Sequence, residues 1–387
     1  MTGKKKHKKN IVYLIVIELL ILIQLIAIII IYMTVSRTTT SPESFNYDPD
    51  ELGNMKVDDV VIDSYISTNE SLTGYTNIAL LGVDTREGNL DYSNSDTMLV
   101  ASINNDTWGV RMVSLYRDTY LNIDPYSDQG TYSRANAAYA SGSINQFLDM
   151  LNANLDLNIT QYIIFDFSAL AALIDDLGGI NITLTEQEVV HLNNYSVETS
   201  EVTGRAYTPL EYDEGMEPRE YFLNGVQGVS YARILFTKGY DLKRAQRQRL
   251  LIEKIIEKAK TKGMDAISLI IEDVFPKTKT NITSSQLIKM STLMLYYYNI
   301  EYTSGFPFEH LEADIDGKSV IVPVTLENNV KELHEFLFDD TDYYASSNVK
   351  NYSDIIMSES GFGDNDKSFA KSSSVIPDIG SEADLTK

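Results

Sequence analysis

The feature that most limits how this chain can fold is an apolar segment near its start. Residues 11–33 are apolar except for Glu18 and Gln24. Because a helix rises by about 1.5 Å per residue, about 20 apolar residues are enough to cross the hydrocarbon core of a bilayer. The sequence therefore predicts one transmembrane helix at residues 11–33.

A cleaved signal peptide is the alternative interpretation of this segment. Its apolar core would be shorter, about 7–15 residues, and small residues would follow at a cleavage site. Here the next residues are Thr34-Val35-Ser36-Arg37, which lack an Ala-x-Ala pattern. We therefore expect the segment to be retained as a signal anchor.

Charge around the segment predicts its orientation. Five lysines occur in the first ten residues, whereas Arg37 is the nearest basic residue after the segment. Because basic residues favour the cytoplasmic side, we expect the N-terminus inside and the remaining chain outside the cell membrane. The net charge of −23 argues against nucleic acid as a partner, since phosphates would be repelled over most of the surface.

The chain contains no cysteine. This absence excludes disulfides, thiolate catalysis and cysteine-ligated zinc or iron–sulfur centres. Because large exported eukaryotic domains usually carry disulfides, it favours a bacterial surface protein.

The remaining sequence has the alternation of apolar strands and amphipathic helices that is typical of an α/β fold. We predict strands at 78–83, 98–103, 110–115, 162–165, 180–184 and 319–323, and helices at 136–155, 167–177, 244–260, 284–298 and 326–338. Residues 190–220 are interpreted as a polar excursion, and Gly178-Gly179 as the end of a helix.

These elements suggest a division of the chain into six parts. We predict a cytoplasmic tail at 1–10, the transmembrane helix at 11–33, an extracytoplasmic linker at 34–73, the main α/β domain at 74–264, a C-terminal extension packed on it at 265–339, and a disordered tail at 340–387.

Two aspartates lie at the ends of predicted strands. Asp84 follows the strand at 78–83, and Asp96 precedes the strand at 98–103. Two carboxylates at the rim of an α/β sheet suit Mg²⁺, which takes one or two carboxylates together with phosphate oxygens. Aspartates that cap helices or turns are the alternative.

Arginines occur at similar positions. Arg117 and Asp118 follow the strand at 110–115, and Arg134 precedes the helix at 136–155. The Arg-Asp pair can be a simple surface ion pair. An arginine before a helix, however, is unfavourable unless an anion is bound there, because the helix N-terminus is already positive.

The segment from Asp241 to Arg249 is the most informative. Arg244, Gln248 and Leu251 share one helix face, and Arg247 aligns with Leu251 as well. The face that later becomes apolar therefore begins with two arginines and a glutamine. Several cations in the first turns of a helix also oppose its dipole. A bound polyanion resolves both conflicts, because guanidinium groups hold phosphates bidentately. A structural cluster paired with acidic residues is the alternative.

Other chemistries have little support. The four histidines, His7, His191, His310 and His334, form no triad and no His-x-x-x-His pair. The sequence has neither a Walker A motif nor a Gly-x-Gly-x-x-Gly motif.

Taken together, these segments resemble the LytR–CpsA–Psr family of cell-wall glycopolymer transferases. The resemblance covers about residues 77–260 and continues more weakly to about 338. It is carried by Leu81-Gly82-Val83-Asp84-Thr85-Arg86, Ser95-Asp96-Thr97, Val113 to Thr119, Arg134-Ala135-Asn136, Leu223-Asn224-Gly225, Tyr231-Ala232-Arg233 and Asp241 to Gln248.

The resemblance implies an α-β-α sandwich whose central mixed sheet encloses an apolar lipid pocket. It implies Mg²⁺ as the cofactor, on Asp84 and Asp96. It assigns pyrophosphate binding to Arg86, Arg117, Arg134, Arg233, Arg244, Arg247 and Gln248. We expect catalytic roles for Arg117, Asp118, Asp241 and Arg244, with Asp118 and Asp241 as the candidates for the general base. The expected partners are a polyprenyl-pyrophosphate-linked glycan and a peptidoglycan acceptor, in a Gram-positive bacterium.

One position departs from the family pattern. The family commonly has Arg-x-Arg after the tyrosine that corresponds to Tyr231, but Leu235 stands at the second arginine position. One phosphate contact is therefore lost or comes from Lys238.

The expected reaction is transfer of the glycan, a teichoic acid or another wall or capsular polysaccharide, to peptidoglycan with release of polyprenyl phosphate. The alternatives are hydrolysis of the lipid pyrophosphate by water and non-catalytic binding by a membrane-bound regulator or receptor, since the family has been labelled as transcriptional attenuators.

Overall fold

The computed structural model of the protein describes residues 70–84, 90, 95–237, 240–282, 286, 290, 299–363 and 370–371. The predicted transmembrane helix, most of the predicted linker and Arg86 lie outside this part of the chain, as does nearly all of the helix predicted at 284–298. None of the helices in the described ranges is both long and apolar enough to cross a bilayer.

Strands occur along most of the described chain. They are β1 (Tyr75–Val83), β2 (Ser95–Asn104), β3 (Gly109–Leu115), β4 (Tyr120–Asn122), β5 (Tyr132–Arg134), β6 (Gln161–Phe165), β7 (Ile180–Leu184), β8 (Arg219–Leu223), β9 (Lys279–Thr280), β10 (Asn299–Phe306), β11 (Glu309–Ile315), β12 (Lys318–Pro323) and β13 (Ala370–Lys371).

Helices alternate with these strands. They are α1 (Ala137–Leu155), α2 (Phe167–Asp176), α3 (Glu186–Thr203), α4 (Gly225–Arg233), α5 (Tyr240–Lys262), α6 (Met264–Leu269), α7 (Leu326–Phe338) and α8 (Ser347–Ser360). The predicted strands at 78–83, 98–103, 110–115, 162–165, 180–184 and 319–323 are confirmed, and so are the helices at 136–155, 167–177, 244–260 and 326–338, within a few residues at their ends.

The central sheet has six strands in the order β10-β3-β2-β1-β6-β9. β1 pairs with β6 in parallel, and β3 pairs with β10 in parallel. The other pairs are antiparallel. The sheet is therefore mixed, as the resemblance implies.

Alternate residues of the central strands point to opposite layers of helices. Ala79 and Leu81 belong to a buried cluster with α1 and α7. Ile78 belongs to a separate cluster on the other face, against which Ile252 of α5 packs. Because successive side chains of a strand alternate between faces, this pattern places helices on both sides of the sheet. The predicted α-β-α arrangement is confirmed.

A second apolar core joins the remaining helices to α5. It contains buried residues of α2, β7, α3, β8 and α4, together with Leu251 and Ile255 of α5. Helix α5 therefore has two apolar contacts, one with this core and one with the sheet. Its first turns pack separately, through Leu242 and Ala245, against Tyr116 and Ile321.

The prediction of a polar excursion at 190–220 is wrong in part. Helix α3 continues to Thr203, and β8 begins at Arg219 and pairs with β7. The side chain of Thr185 and that of Glu188 form a reciprocal capping box at the start of α3. This local bonding, rather than an apolar stripe, defines the helix, which explains why hydrophobic periodicity missed it.

The C-terminal regions also differ from their predictions. Residues 265–339 are more than an extension, because β9 and β10 lie at the two edges of the central sheet. Strands β11 and β12, of which β11 was not predicted, meet at a turn in which Asp316 and Gly317 both have positive φ. This conformation is typical of an Asp-Gly hairpin.

The predicted disordered tail contains an ordered helix, α8. Its side chains Val349 and Ile356 are fully buried in the core shared with α1 and α7. Ser346 caps the helix and also donates to Asp156, which accepts a further hydrogen bond from Tyr343. Few apolar residues in a polar sequence are therefore enough to fix this helix.

We expect Ile356→Ala to lower the free energy of unfolding by about 2–5 kcal/mol, because it leaves a cavity in this core. Asn351→Ala, at an exposed position on the same helix, is the control and should change it by less than about 0.5 kcal/mol. Denaturant unfolding measures both. Equal stability of the two variants would show that α8 does not belong to the core.

Candidate functional site

Two carboxylates lie where strand β1 ends and strand β2 begins, in the middle of the central sheet. Strands β1 and β2 are paired so that Gly82 is opposite Thr97 and Val83 is opposite Ser95. Asp96 is therefore the extra residue of a β-bulge, and Asp84 directly follows the end of β1. A bulge redirects a side chain and is frequent beside functional sites.

Arg117 contacts one of these carboxylates. It lies just beyond β3, which runs antiparallel to β2, so the end of β3 and the start of β2 share an edge. The Nη1 atom of Arg117 donates to Oδ1 of Asp96 at 2.9 Å. The structure thus brings the segments that contain Asp96 and Arg117 into direct contact.

The start of α5 completes this group. Oδ1 of Asp241 lies 3.2 Å from Nε of Arg117 and 2.6 Å from Nη2 of Arg244. One carboxylate therefore holds two guanidinium groups that come from different elements. The side chain of Gln248, one turn after Arg244, reaches the backbone oxygen of Asp96 at 3.4 Å.

Asp118 and Arg134 extend the same network. Oδ2 of Asp118 is 3.6 Å from Nε of Arg117, and its Oδ1 is 3.4 Å from Nε of Arg134. Arg134 is therefore linked to the site through a carboxylate. The network joins Arg117, Arg134 and Arg244 with Asp96, Asp118 and Asp241, which balances three positive charges against three negative ones.

Burial and these neighbours act on the pKa values in opposite directions. Desolvation lowers the pKa of Arg117, but Asp241, Asp96 and Asp118 together outweigh it, so its pKa is raised. Desolvation dominates for Arg244, whose pKa is lowered despite Asp241. Burial likewise raises the pKa of Asp118, against the attraction of Arg117. The site is thus less solvated than a surface cluster.

Arg233, at the end of α4, is held by a separate set of contacts. Its Nη1 donates to Oγ1 of Thr199 at 2.9 Å, and its Nη2 donates to Glu198 at the same distance. The guanidinium lies 4.5 Å from the ring centre of Phe167 and 5.5 Å from that of Tyr195. These contacts fix its plane and direction.

Three of the predicted arginines line one cavity of about 290 Å³. Its polar lining consists of Asp96, Thr97, Arg117, Arg233, Arg244 and Gln248. Asp84 lies 4.0 Å from Arg233 at the same edge. Arginines from the end of β3, the end of α4 and the start of α5 therefore converge on a single space.

Much of the remaining wall of the cavity is apolar. It is formed mainly by Phe165, Phe167, Leu170, Val229, Leu235 and Phe236. Phe236 is 61% exposed, so it lies at the mouth. The cavity thus combines cations with an apolar wall.

Arg247 does not line this cavity. It is 2% exposed, and its donors contact Oε1 of Glu188, the backbone oxygen of Ile234 and Oγ1 of Thr237. Arg247 was expected to bind pyrophosphate, and in this structure its guanidinium group is occupied by these three contacts instead. Arg247 instead fixes α5 to α3 and to the chain after α4.

Sequence reasoning missed the residues of α3 that support the site. Tyr195 lines the cavity, and Glu198 and Thr199 hold Arg233. The sequence pattern that could have predicted them is the capping box of Thr185 and Glu188, because it marks the start of a helix that contains these positions.

The donor set fits Mg²⁺ only in part. Asp84 and Asp96 offer the two carboxylates that Mg²⁺ accepts alongside substrate phosphates. Over the described ranges, however, no group of three or more histidine, aspartate or glutamate side chains is placed to hold a metal. In this structure Asp96 is bonded to Arg117, so a metal at this edge would share its carboxylates with the arginines.

The fold and the cavity define an α/β protein with an arginine-lined site beside an apolar wall. Residues 33–330 match the model of the LytR_cpsA_psr family. The chain belongs to this family, as the resemblance predicted.

Individual relatives agree with this assignment. The chain is 29% identical over 218 residues to biofilm regulatory protein A of Streptococcus mutans, covering 54% of this chain and 50% of the relative. It is 27% identical over 232 residues to the polyisoprenyl-teichoic acid–peptidoglycan teichoic acid transferase TagU of Enterococcus faecalis, covering 59% and 66%. The matched region thus spans half to two-thirds of these relatives.

Solved structures share the fold. A Streptococcus agalactiae protein superposes with a TM-score of 0.56 at 24% identity, covering 71% of this chain and 90% of that protein. TagT bound to LI-WTA superposes with a TM-score of 0.52 at 18% identity, covering 70% and 93%.

We expect Asp241→Asn to lower the free energy of unfolding by about 1–3 kcal/mol, because Arg117 and Arg244 would then face each other without the shared negative charge. Asp213→Asn is the control, since Asp213 is 81% exposed and pairs with Arg219 at the surface. That change should stay within about 0.5 kcal/mol. Denaturant unfolding at neutral pH measures both free energies of unfolding. If both variants were as stable as the parent protein, the role of Asp241 would be contradicted.

Proposed function

We propose that this protein transfers a glycopolymer from a polyprenyl pyrophosphate carrier to peptidoglycan and releases polyprenyl phosphate. The observation that carries the proposal is the cavity itself, where Arg117, Arg233 and Arg244 line one space that has an apolar wall. Guanidinium groups suit a pyrophosphate, and the apolar wall suits the first part of an isoprenoid chain.

The names of the relatives support this proposal. TagU of Enterococcus faecalis is named as a transferase that joins teichoic acid to peptidoglycan. A teichoic acid or a related wall or capsular polysaccharide is accordingly the substrate that we propose here. The proposed position is outside the cell, on a membrane anchor at residues 11–33.

The reaction needs one bond to form and one to break. A sugar hydroxyl of peptidoglycan attacks the phosphorus on the glycan side of the pyrophosphate. The bond from that phosphorus to the bridging oxygen breaks, and polyprenyl phosphate leaves with this oxygen. Negative charge on the leaving group increases during the step, so Arg117 and Arg244 stabilise it more strongly in the transition state than before.

The hydroxyl proton must also be removed. Asp118 and Asp241 remain the two candidates for the general base. Burial raises the pKa of Asp118, which favours proton uptake by that carboxylate. Asp241 contacts both Arg117 and Arg244, which fits a residue that orients them.

Mg²⁺ is part of the proposal, with Asp84 and Asp96 as its protein ligands. When bound, it would neutralise charge on the phosphate oxygens. The role of the chain is then to hold two carboxylates at the strand edge beside Arg117 and Arg233.

We expect Arg117→Ala and Arg244→Ala each to reduce glycan transfer by about 100- to 1000-fold, since each removes a cation from the charge that develops. Arg219→Ala is the matched control, because this arginine is on the surface of β8 and pairs with Asp213. The measurement is transfer of a labelled lipid-linked glycan to peptidoglycan by purified full-length protein. Full turnover by both cavity variants would reject the proposal.

The same assay separates the alternatives. Release of free glycan phosphate without attachment to peptidoglycan would indicate a hydrolase. Binding of the lipid-linked glycan without turnover would indicate a receptor or regulator, as the name of the Streptococcus mutans relative suggests.

We expect the double variant Asp84→Asn and Asp96→Asn to weaken binding of a divalent cation by at least about tenfold. Mn²⁺ can replace Mg²⁺ in the measurement, and its electron paramagnetic resonance signal reports binding without any turnover. Asp106→Asn, in the turn between β2 and β3, is the control. Unchanged Mn²⁺ affinity in the double variant would remove these aspartates as metal ligands.

A further inference from the structure

Arg249 is a buried cation for which the described residues provide no ion-pair or hydrogen-bond partner. It is 5% exposed, and its Nε and Nη1 atoms are both buried with no hydrogen-bond acceptor. Within the described part of the chain, no carboxylate forms an ion pair with it. Burial lowers the pKa of the guanidinium, which a nearby Tyr116 only partly offsets.

Arg247, on the same helix, is an example of a buried arginine with a structural role. It is equally buried, yet its Nε, Nη1 and Nη2 atoms all donate hydrogen bonds, at 3.0, 3.1 and 2.8 Å. The two arginines are two residues apart on α5. Their contrast therefore does not come from depth or from the helix, but from what surrounds each side chain.

An unpaired guanidinium in the interior is unfavourable for the free protein. Charged groups inside proteins are almost always paired or bonded, because desolvation otherwise disfavours them strongly. Such an exception is expected where a ligand supplies the missing partner. For a guanidinium, the matching ligand is an oxyanion such as a phosphate.

The position of Arg249 indicates which site this ligand occupies. The preceding residue on α5, Gln248, lines the cavity, and so does Arg117, which follows Tyr116. Ala245, one turn before Arg249, packs with Tyr116 in a small buried cluster. Arg249 is therefore next to residues of two segments that line the cavity, while its own side chain is not part of the lining.

We propose that Arg249 is a further binding residue for the doubly phosphorylated head of the lipid-linked substrate. The proposal rests on the function proposed above and extends it. Nothing holds Nε or Nη1 in the free protein, so the guanidinium can turn toward an incoming phosphate without breaking a hydrogen bond there. It would supply the cation that is lost at Leu235, which lines the same cavity.

The test compares Arg249→Met with Arg247→Met in full-length protein in detergent. Thermal unfolding without ligand gives the structural role of each arginine. Calorimetric binding of farnesyl pyrophosphate, a short lipid pyrophosphate, gives the ligand role, and inorganic pyrophosphate provides a second arm without the apolar chain.

We expect Arg249→Met to melt at or above the temperature of the parent, because an unpaired charge is removed. It should bind farnesyl pyrophosphate about 10- to 100-fold more weakly, with a similar loss for inorganic pyrophosphate. Arg247→Met should melt at least about 5 °C lower, because Glu188 loses its buried partner. Arg249→Lys, which keeps the charge without the planar fork, should recover part of the affinity.

Three results would overturn the assignment of Arg249. They are unchanged affinity in Arg249→Met, a fall in melting temperature equal to that of Arg247→Met, and a loss of affinity that is limited to the lipid-containing ligand. Failure of the parent protein itself to bind farnesyl pyrophosphate would instead reject the proposed function, so the two failures are distinguishable.

Discussion

The site depends on one shared carboxylate. Asp241 contacts Arg117 from the end of β3 and Arg244 from its own helix, so it ties the start of α5 to the edge of the central sheet. Two guanidinium groups would otherwise repel each other where burial already disfavours their charge. The bulge at Asp96 adds a second tie to Arg117 from β2. Together they hold cations from separate elements at one opening.

Much of this arrangement follows from local sequence. Apolar runs locate β1, β2 and β3, and the charged residues that follow or precede these strands must lie at an edge of the sheet, as they do. The position of Asp96 in a bulge could not be predicted, because a bulge depends on the pairing of two strands and not on either one alone.

The arginines of α5 show where sequence reasoning ends. Arg247 and Arg249 look equivalent along the helix, and both are buried. What separates them is Glu188, which is 59 residues from Arg247 in the chain and belongs to a helix whose weak amphipathic pattern was not recognised. The failure to predict helix α8 has the same cause. This helix is ordered by contacts with α1 and α7, which no local sequence pattern contains.

The charge balance of the network has a consequence for how a ligand arrives. The three arginines and three aspartates offset one another, while the chain as a whole carries −23. Such a body does not attract soluble anions by long-range steering, so free nucleotides and inorganic phosphates meet a repulsive field as they diffuse toward it. A carrier confined to the bilayer avoids that approach through bulk water. Selectivity can thus begin with the route of encounter, before any contact inside the cavity.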